Sequence, residues 1–167
     1  MKWLKKLKPN LIAKNIQSVN FAKLKEQGIT NLILDIDDTL ISRRSTNITP
    51  LLFEWVANRK SDGFNLCLAS NSRHPVRVEY IGKTLGLPHL SFGLKPLPFA
   101  FQRAMRVLGS RPDNTAMIGD QLFMDILGAN LLGIYSILVQ NITPETMTVR
   151  QFMRWLEDWV LAKLKSL

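Results

Sequence analysis

The stretch NLILDIDDTL, residues 31–40, decides the fold and the kind of site that this chain carries. Its first half, residues 31–34, is a short apolar run of the kind found in strands that are buried on both faces of a sheet. Its second half places Asp35, Asp37 and Asp38 directly after that strand. Buried carboxylates repel one another and are costly to desolvate unless a cation neutralises them. The stretch therefore predicts a buried strand that ends in a cation-binding or catalytic cluster.

Outward from this strand, apolar runs alternate with helical segments along the whole chain. We predict further strands at residues 64–69, 90–94, 115–118 and 134–139, and helices at 50–62, 75–86, 98–108, 122–130 and 148–165. Buried strands that alternate with helices of 10–15 residues are typical of a parallel sheet covered on both faces. The predicted fold is α/β, with about five strands. The 167 residues show no linker or repeat, which favours one domain over residues 1–167.

In a parallel sheet of this kind, the functional groups lie beyond the carboxyl ends of the strands. Ser70 and Asn71 follow the second predicted strand, and Lys95 follows the third. Asp120 follows the fourth strand, and Asp125 lies in the next helix. The carboxylates at this edge are oxygen ligands of the kind that Mg²⁺ prefers. A magnesium site with a nearby lysine is expected there.

This ordered set resembles the four motifs of the haloacid dehalogenase (HAD) phosphohydrolase superfamily. The matching residues are Asp-Ile-Asp-Asp-Thr-Leu (35–40), Ser70, Lys95 and Gly-Asp-Gln-Leu-Phe-Met-Asp (119–125). The finer resemblance is to the type IIIA, YqeG-like branch, whose eukaryotic relatives include phosphatidylglycerophosphate phosphatases. It rests on Gly28-Ile29, Ser70-Asn71 and the continuation Ile-Leu-Gly-Ala-Asn at 126–130. Asp38 departs from the branch, in which many members have Asn.

The resemblance implies a capless, HAD-like Rossmannoid fold and a phosphatase that works through an aspartyl-phosphate. Asp35 would be the nucleophile and Asp37 the general acid and base. Ser70 and Lys95 would hold the phosphoryl oxygens. The Mg²⁺ ligands would be Asp35, the backbone carbonyl of Asp37, Asp120 and Asp125.

Several of these residues have structural alternatives. Asp38 is expected to face solvent or cap a turn rather than bind metal. Asp125 could instead lie only near the positive end of its helix. Asn71 could order its loop rather than contact substrate, and Lys95 could lie at the surface. His74 and His89 lack partners at ligand spacing and are interpreted as structural or surface residues.

Three arginines follow the first two motifs: Arg43, Arg44 and Arg73. They could bind a second phosphate of the substrate or remain solvated in their loops. We assign Asn71 and Arg73 to substrate binding as a further expectation.

The spacing of the motifs bears on substrate size. Only 35 positions separate Asp35 from Ser70, and 25 separate Ser70 from Lys95. The predicted strands and helices use that length, so no cap domain is expected and the site should stay open to a bulky phosphomonoester. The family resemblance favours phosphatidylglycerophosphate at a membrane surface. A nucleic-acid or protein phosphatase, and a ribosome- or nucleic-acid-binding factor with this fold, remain as alternatives.

The charge distribution is uneven. The net charge is +9, and residues 1–30 contribute +6 through seven lysines and one glutamate. Trp3, Leu4 and Leu7 lie among these lysines, a composition suited to an anionic membrane, although nucleic-acid binding or a solvated tail fits as well. In the last helix an apolar stripe is expected to pack on the sheet, with Trp155 and Trp159 beside it. The stripe consists of Val149, Phe152, Met153, Leu156, Val160 and Leu164.

The compartment is expected to be reducing. Cys67 is the only cysteine, and it lies within an apolar strand. No apolar run reaches the length of a membrane span, and no signal peptide is recognisable. The expected location is cytoplasmic, with peripheral contact at the inner face of the membrane.

Overall fold

A single parallel sheet organises the computed structural model, which describes residues 5–91, 93–143 and 148–165. Within these residues the sheet has six strands in the order β1-β6-β5-β2-β3-β4, and every pair of neighbours is parallel. The strands are β1 (Leu11–Ala13), β2 (Asn31–Leu34), β3 (Asn65–Ala69), β4 (His89–Leu90), β5 (Thr115–Gly119) and β6 (Tyr135–Val139). The predicted α/β class and parallel sheet are confirmed.

Two strands differ from the prediction. β1 was not predicted, because its apolar run, Leu11–Ala13, has only three residues; its central Ile12 is 53% exposed. β4 was predicted at 90–94 but ends at Leu90. There the backbone turns away, and Leu94 adopts a positive φ of 53° that a strand does not contain.

Six α-helices cover the sheet within the described residues. They are α1 (Phe21–Glu26), α2 (Pro50–Ser61), α3 (Pro75–Leu85), α4 (Pro98–Leu108), α5 (Leu127–Leu132) and α6 (Thr148–Lys165). Three of them begin with proline, whose fixed φ suits the first helical turn. The helix predicted at 122–130 differs from expectation, because its first turn, Leu122–Ile126, is a wider π-helical turn and only α5 is α-helical.

The core lies on both faces of the sheet, as predicted. Successive strand residues alternate between the faces: Leu32 and Leu34 face α1, α2 and α3, whereas Ile33 faces α4. Cys67 is fully buried on the α4 face, in agreement with its interpretation as a small buried residue.

The connections between the strands are too short to hold another domain. Between β2 and β3 the described chain forms a turn, a loop and α2, and between β3 and β4 it forms α3. The predicted absence of a cap domain is confirmed for these segments. Among the described residues, no helix has both the length and the apolar composition needed to cross a bilayer.

The N-terminal segment is docked on the fold from Lys5 onward, whereas Lys2, Trp3 and Leu4 lie outside the described residues. Leu7, one of the apolar residues whose setting among lysines suits an anionic membrane, does not face outward. Leu7 is buried beside Leu138 and Val160, because α6 and β6 form an apolar pocket for it. The adjoining lysines line a cleft. The other residues of this cleft lie just before strands or at their first positions, so the basic patch is at the amino edge of the sheet, opposite the carboxyl ends of the strands. The cleft includes Lys5, Lys6, Lys8, Ile29 and Tyr135.

The apolar stripe of α6 is packed only in part. Val160 and Leu164 are buried, as expected, but Phe152 is 60% exposed and stacks on Trp155 instead. Trp155 and Trp159 are also exposed. The side chain of Val149 lies outside the described set.

Candidate active site

Three carboxylates converge at the carboxyl edge of the sheet. Asp35, Asp120 and Asp125 each contribute an oxygen to a group in which all the atoms lie within 4.8 Å of one another. All three residues are buried. The neighbouring strands β2 and β5 align the first two, because the Asp35 amide continues the ladder by donating to the Ile118 carbonyl at 3.0 Å. Adjacent strands thus end in carboxylates at the same level.

The π-helical turn after β5 brings the third carboxylate back to the strand. The carbonyl of Gln121 accepts from the amides of Asp125 and Ile126, at 2.9 and 3.3 Å, and the Asp125 carboxylate accepts from the Gln121 amide at 3.1 Å. Glycine is required at position 119, since a Cβ there would overlap the Asp125 carboxylate. Asp125 therefore belongs to the cluster and does not simply lie at a helix end.

Lys95 lies between two of the carboxylates. Its Nζ is 2.5 Å from an oxygen of Asp35 and 2.6 Å from an oxygen of Asp125, and its side chain is only 2% exposed. The surface alternative for Lys95 is wrong. Asn71 fixes the backbone of Lys95 at both sides, because its amide group donates to the Lys95 carbonyl and accepts from the Lys95 amide, each at 2.9 Å. The geometry thus gives Asn71 an ordering role in this loop.

Burial and charge set the ionisation of the cluster. Burial raises the pKa of Asp35 well above its ordinary value, Lys95 opposes this, and the charges of Asp125 and Asp120 add to it. Burial likewise raises the pKa of Asp120 to about 6, assisted by repulsion from Asp125. Burial by itself lowers the pKa of Lys95, but Asp125 and Asp35 outweigh it and hold that pKa above the usual range. These interactions favour the charged form of Lys95, and additional positive charge would favour the ionised forms of Asp35 and Asp120.

Asp37 and Asp38 do not belong to the carboxylate cluster, and each pairs with a separate arginine. The Asp37 carboxylate is 2.9 Å from Nη2 of Arg77, on α3. Asp38 is 1% exposed, so the solvent-facing alternative is wrong and the turn-capping one holds. Its carboxylate accepts from the Arg43 amide at 3.2 Å and also pairs with the Arg43 guanidinium. Its φ of 64° explains the residue type, since Asp and Asn tolerate this left-handed conformation best.

Ser70 and Thr39 flank the carboxylates. Ser70 is buried directly after β3, and its hydroxyl accepts from the Ser72 amide at 3.0 Å. The hydroxyl of Thr39 is 3.4 Å from Asp35 and 3.4 Å from Asp120. Arg73 is exposed and lines a cleft of about 440 Å³ with Asn71 and Lys95. Three of the expected site residues, Asn71, Arg73 and Lys95, therefore line one cleft, the site mouth.

Two residues of α6 that sequence reasoning missed reach this site. The guanidinium of Arg154 binds Asp120 at two points. It donates to the Asp120 backbone carbonyl at 2.5 Å and to the Asp120 carboxylate at 2.6 Å. Glu157 pairs with Arg154 at 3.1 Å and accepts from the Leu122 amide at 2.9 Å. Burial raises the pKa of Glu157 to about 7, although Arg154 opposes this. One signal was available, because Glu157 falls on the apolar face of α6 beside Val160.

The donor set fits a hard divalent cation. Asp35, Asp120, Asp125 and Glu157 carry four carboxylates, whereas Lys95 and Arg154 bring two positive charges. Carboxylate oxygens are the ligands that Mg²⁺, Mn²⁺ and Ca²⁺ prefer. The cluster of Asp35, Asp120 and Asp125 can therefore hold a divalent metal ion.

A parallel sheet whose carboxyl edge carries this carboxylate and lysine cluster defines a HAD-type hydrolase. A family model described as HAD-hydrolase-like matches residues 94–165. The chain belongs to the YqeG family of HAD phosphatases: it is 34% identical over 157 residues to the probable phosphatase YqeG of Bacillus subtilis, which covers 94% of this chain and 91% of that protein. The predicted family and enzyme class are confirmed.

Two further comparisons extend this result. The chain is 23% identical over 171 residues to the chloroplastic and mitochondrial phosphatidylglycerophosphate phosphatase 1 of Arabidopsis thaliana, covering 94% of this chain and 49% of that protein. Its fold resembles the cobalt-bound deoxy-D-mannose-octulosonate 8-phosphate phosphatase of Haemophilus influenzae, with a TM-score of 0.52 and 15% identity over 83% of this chain and 90% of that one.

Proposed function

We propose that this phosphatase is Mg²⁺-dependent, forms an aspartyl-phosphate at Asp35 and hydrolyses phosphatidylglycerophosphate. The observation that carries the chemistry is the buried contact of Lys95 with Asp35, 2.5 Å, inside a cluster of three carboxylates. A nucleophilic carboxylate must be ionised, and burial raises the pKa of Asp35 and so favours its protonated form. Lys95 opposes this rise, and a divalent cation at the cluster would add to its effect and favour the ionised nucleophile.

In the first step a carboxylate oxygen of Asp35 attacks the phosphorus, and the bond from phosphorus to the alkoxide of the substrate breaks. Asp37 gives its proton to that alkoxide. In the second step Asp37 takes a proton from a water molecule that attacks the same phosphorus. The bond between phosphorus and Asp35 breaks, orthophosphate leaves and the carboxylate is restored.

The surrounding residues hold these groups in place. Arg77 orients Asp37 from α3, and Arg154 orients Asp120 from α6. Lys95 and the Ser70 hydroxyl offer positive charge and a donor to the phosphoryl oxygens. Asp35, Asp120 and Asp125 would hold the metal, together with the Asp37 carbonyl. When bound, Mg²⁺ supplies positive charge against the phosphoryl oxygens. Cobalt is present in the Haemophilus phosphatase with this fold, which supports a divalent ion here.

The choice of a lipid substrate is supported by two independent features. The Arabidopsis relative acts on phosphatidylglycerophosphate, as its name states. The site mouth also carries exposed apolar side chains, with Leu94 at 55% and Leu97 at 49% exposure on the loop that holds Lys95. With no cap over this mouth, the body of a large amphiphilic substrate can remain outside the site.

Peripheral membrane contact follows from the same proposal, on the site side of the fold. Trp155 and Trp159 are exposed on α6, the helix whose Arg154 reaches Asp120. Aromatic side chains of this kind favour the membrane interface. The basic N-terminal segment lies at the opposite edge of the sheet and is therefore the weaker choice for presenting the site to lipid.

A substrate panel tests this function. Phosphate release is measured with phosphatidylglycerophosphate in mixed micelles, a phosphopeptide, 3′- and 5′-phosphorylated oligonucleotides and p-nitrophenyl phosphate. The proposal expects the highest kcat/KM for the lipid. A higher kcat/KM for the peptide or for an oligonucleotide would refute the lipid assignment and support one of the other phosphatase classes.

A further inference from the structure

A second cleft begins where Asp37 meets Arg77. It has a volume of about 680 Å³ and is lined by Arg44, Thr46, His74, Val76, Arg77 and Tyr80. Arg77 contributes to both the active site and this cleft, because its Nη2 lies 2.9 Å from Asp37 and its side chain also lines the cleft. The cleft therefore adjoins the site at Arg77, beside Asp37.

The side of the cleft nearest Asp37, its inner part, carries side chains that suit an anion. Arg44 and Arg77 are its charged lining residues, His74 adds an imidazole, and no acidic residue is among the described lining. Nε of Arg77 donates to the Ser45 carbonyl at 2.8 Å, which fixes the guanidinium against the loop that carries Arg44. The guanidinium is thus held between the Ser45 carbonyl and Asp37, and as a lining residue of the cleft Arg77 can donate further hydrogen bonds to a ligand there.

The backbone of Arg44 is held in an unfavourable conformation. Its φ is 62°, a left-handed value that costs about 1 kcal/mol or more in a residue other than glycine. Such strain persists where surrounding contacts enforce it, and the contact from Arg77 to the adjacent Ser45 is one of them. Arg44, held in this conformation, lines the cleft together with Arg77.

The outer part of the cleft is apolar. Val76 is 78% exposed and Tyr80 is 52% exposed, one turn apart on the surface of α3. Large exposed apolar side chains next to a charged pocket mark a surface that binds an amphiphile. An oligonucleotide, which is charged along its whole length, would find cations only in the inner part.

We propose that this cleft binds the part of the substrate beyond the reacting phosphate. A second phosphate, present as a phosphodiester, lies against Arg44 and Arg77, and an acyl chain lies on Val76 and Tyr80. The ligand class is a glycerophospholipid head group that joins a phosphomonoester to a phosphodiester through a three-carbon unit. The inference rests on the proposed function and names the subsite that selects its substrate.

The test uses a product analogue, so that it does not depend on turnover of the lipid. Dihexanoyl phosphatidylglycerol, which carries the phosphodiester and short acyl chains but no phosphomonoester, is added to the hydrolysis of p-nitrophenyl phosphate. We expect competitive inhibition of the wild type and an inhibition constant about ten- to a hundredfold higher in Arg44→Gln, because a charge-assisted hydrogen bond is lost. Arg106→Gln, an exposed arginine of α4, is the matched control and should leave the inhibition constant unchanged.

Two further arms separate the possible outcomes. Tyr80→Ser should weaken inhibition by dihexanoyl more than by dibutanoyl phosphatidylglycerol, because the longer chains reach Tyr80. Thymidylyl-thymidine supplies a nucleic-acid phosphodiester, and stronger inhibition by it than by the lipid would overturn the lipid assignment. Equal inhibition constants in wild type and Arg44→Gln, or no inhibition at all, would overturn the subsite. Inhibition that depends on Arg44, in an enzyme that does not hydrolyse phosphatidylglycerophosphate, would refute the proposed substrate and leave the subsite standing.

Discussion

Replacing Lys95 by methionine removes the cation that two buried carboxylates share. Its Nζ lies 2.5 Å from Asp35 and 2.6 Å from Asp125, and none of the three side chains is more than 4% exposed. Breaking a buried pair by removing one partner costs about 3–5 kcal/mol, because the remaining charge has no compensation. For a chain of this size each kcal/mol lowers the melting temperature by about 2–4 °C. Lys95→Met should therefore melt about 6–20 °C below the wild type at pH 7.5 in EDTA.

The loss should depend on pH and on metal. Lys95 opposes the rise that burial causes in the pKa of Asp35, so in the variant Asp35 takes up a proton more readily and the difference should shrink at pH 5. A divalent cation should also reduce the difference, because it neutralises the carboxylates that the variant leaves unpaired and so stabilises the variant more than the wild type.

Thermal unfolding followed by circular dichroism measures these differences. Lys83→Met is the matched control: Lys83 pairs with Glu79 on the surface of α3, where both side chains are largely exposed, and its removal should leave the melting temperature unchanged. Equal melting temperatures of Lys95→Met and wild type in EDTA at pH 7.5 would show that the lysine does not neutralise the cluster.

Three other predictions concern the same site. Asp35→Asn should lower phosphate release about a thousandfold or more at an unchanged circular dichroism spectrum, and near-normal turnover would exclude Asp35 as the nucleophile. EDTA should abolish activity, and Mg²⁺ should restore it. Ca²⁺ should restore it poorly, because its longer bonds and looser geometry misplace the reacting groups. Full activity in EDTA would contradict the metal requirement. Burial raises the pKa of Glu157 from 4.5 to about 7, so the stability that it contributes is complete below pH 4.5 and is lost as the pH rises through 7. Urea unfolding in EDTA should therefore show the wild type losing about 2–3 kcal/mol more than Glu157→Gln between pH 5 and 8; parallel losses would place the Glu157 pKa near its ordinary value.

The sequence was informative wherever function depends on strand ends. Asp35, Asp120 and Lys95 were found because each follows an apolar run, and parallel strands bring their carboxyl ends to one edge. The alternation of strands and helices along the sequence likewise predicted the α/β fold class. Asp37 shows the limit of that reasoning. A strand continued through residues 35–37 would put Asp35 and Asp37 on one side, but β2 ends at Leu34 and the alternation does not apply. Asp37 turns instead toward Arg77.

The remaining features depend on contacts between distant segments. Arg154 and Arg77 look like solvated helix residues in the sequence, and only the packing of α6 and α3 on the sheet brings them to carboxylates. Leu7 is similar: its neighbours are lysines, so nothing local distinguishes a membrane-facing leucine from one buried under α6. A pattern of nearby residues does not encode which elements will meet.

The pairing of β1 with β6 has a consequence for the solubility of the protein after proteolysis. Asn10 and Ser136 exchange hydrogen bonds across 126 positions of sequence, and β1 is the strand that covers the outer edge of β6. A protease cut in the segment between β1 and β2 would leave the catalytic cluster covalently intact while allowing β1 to dissociate. The uncovered edge of β6 would then offer unpaired amides and carbonyls to another chain, which is the usual start of edge-to-edge aggregation. Clipped preparations should therefore lose solubility before they lose the chemistry of the site.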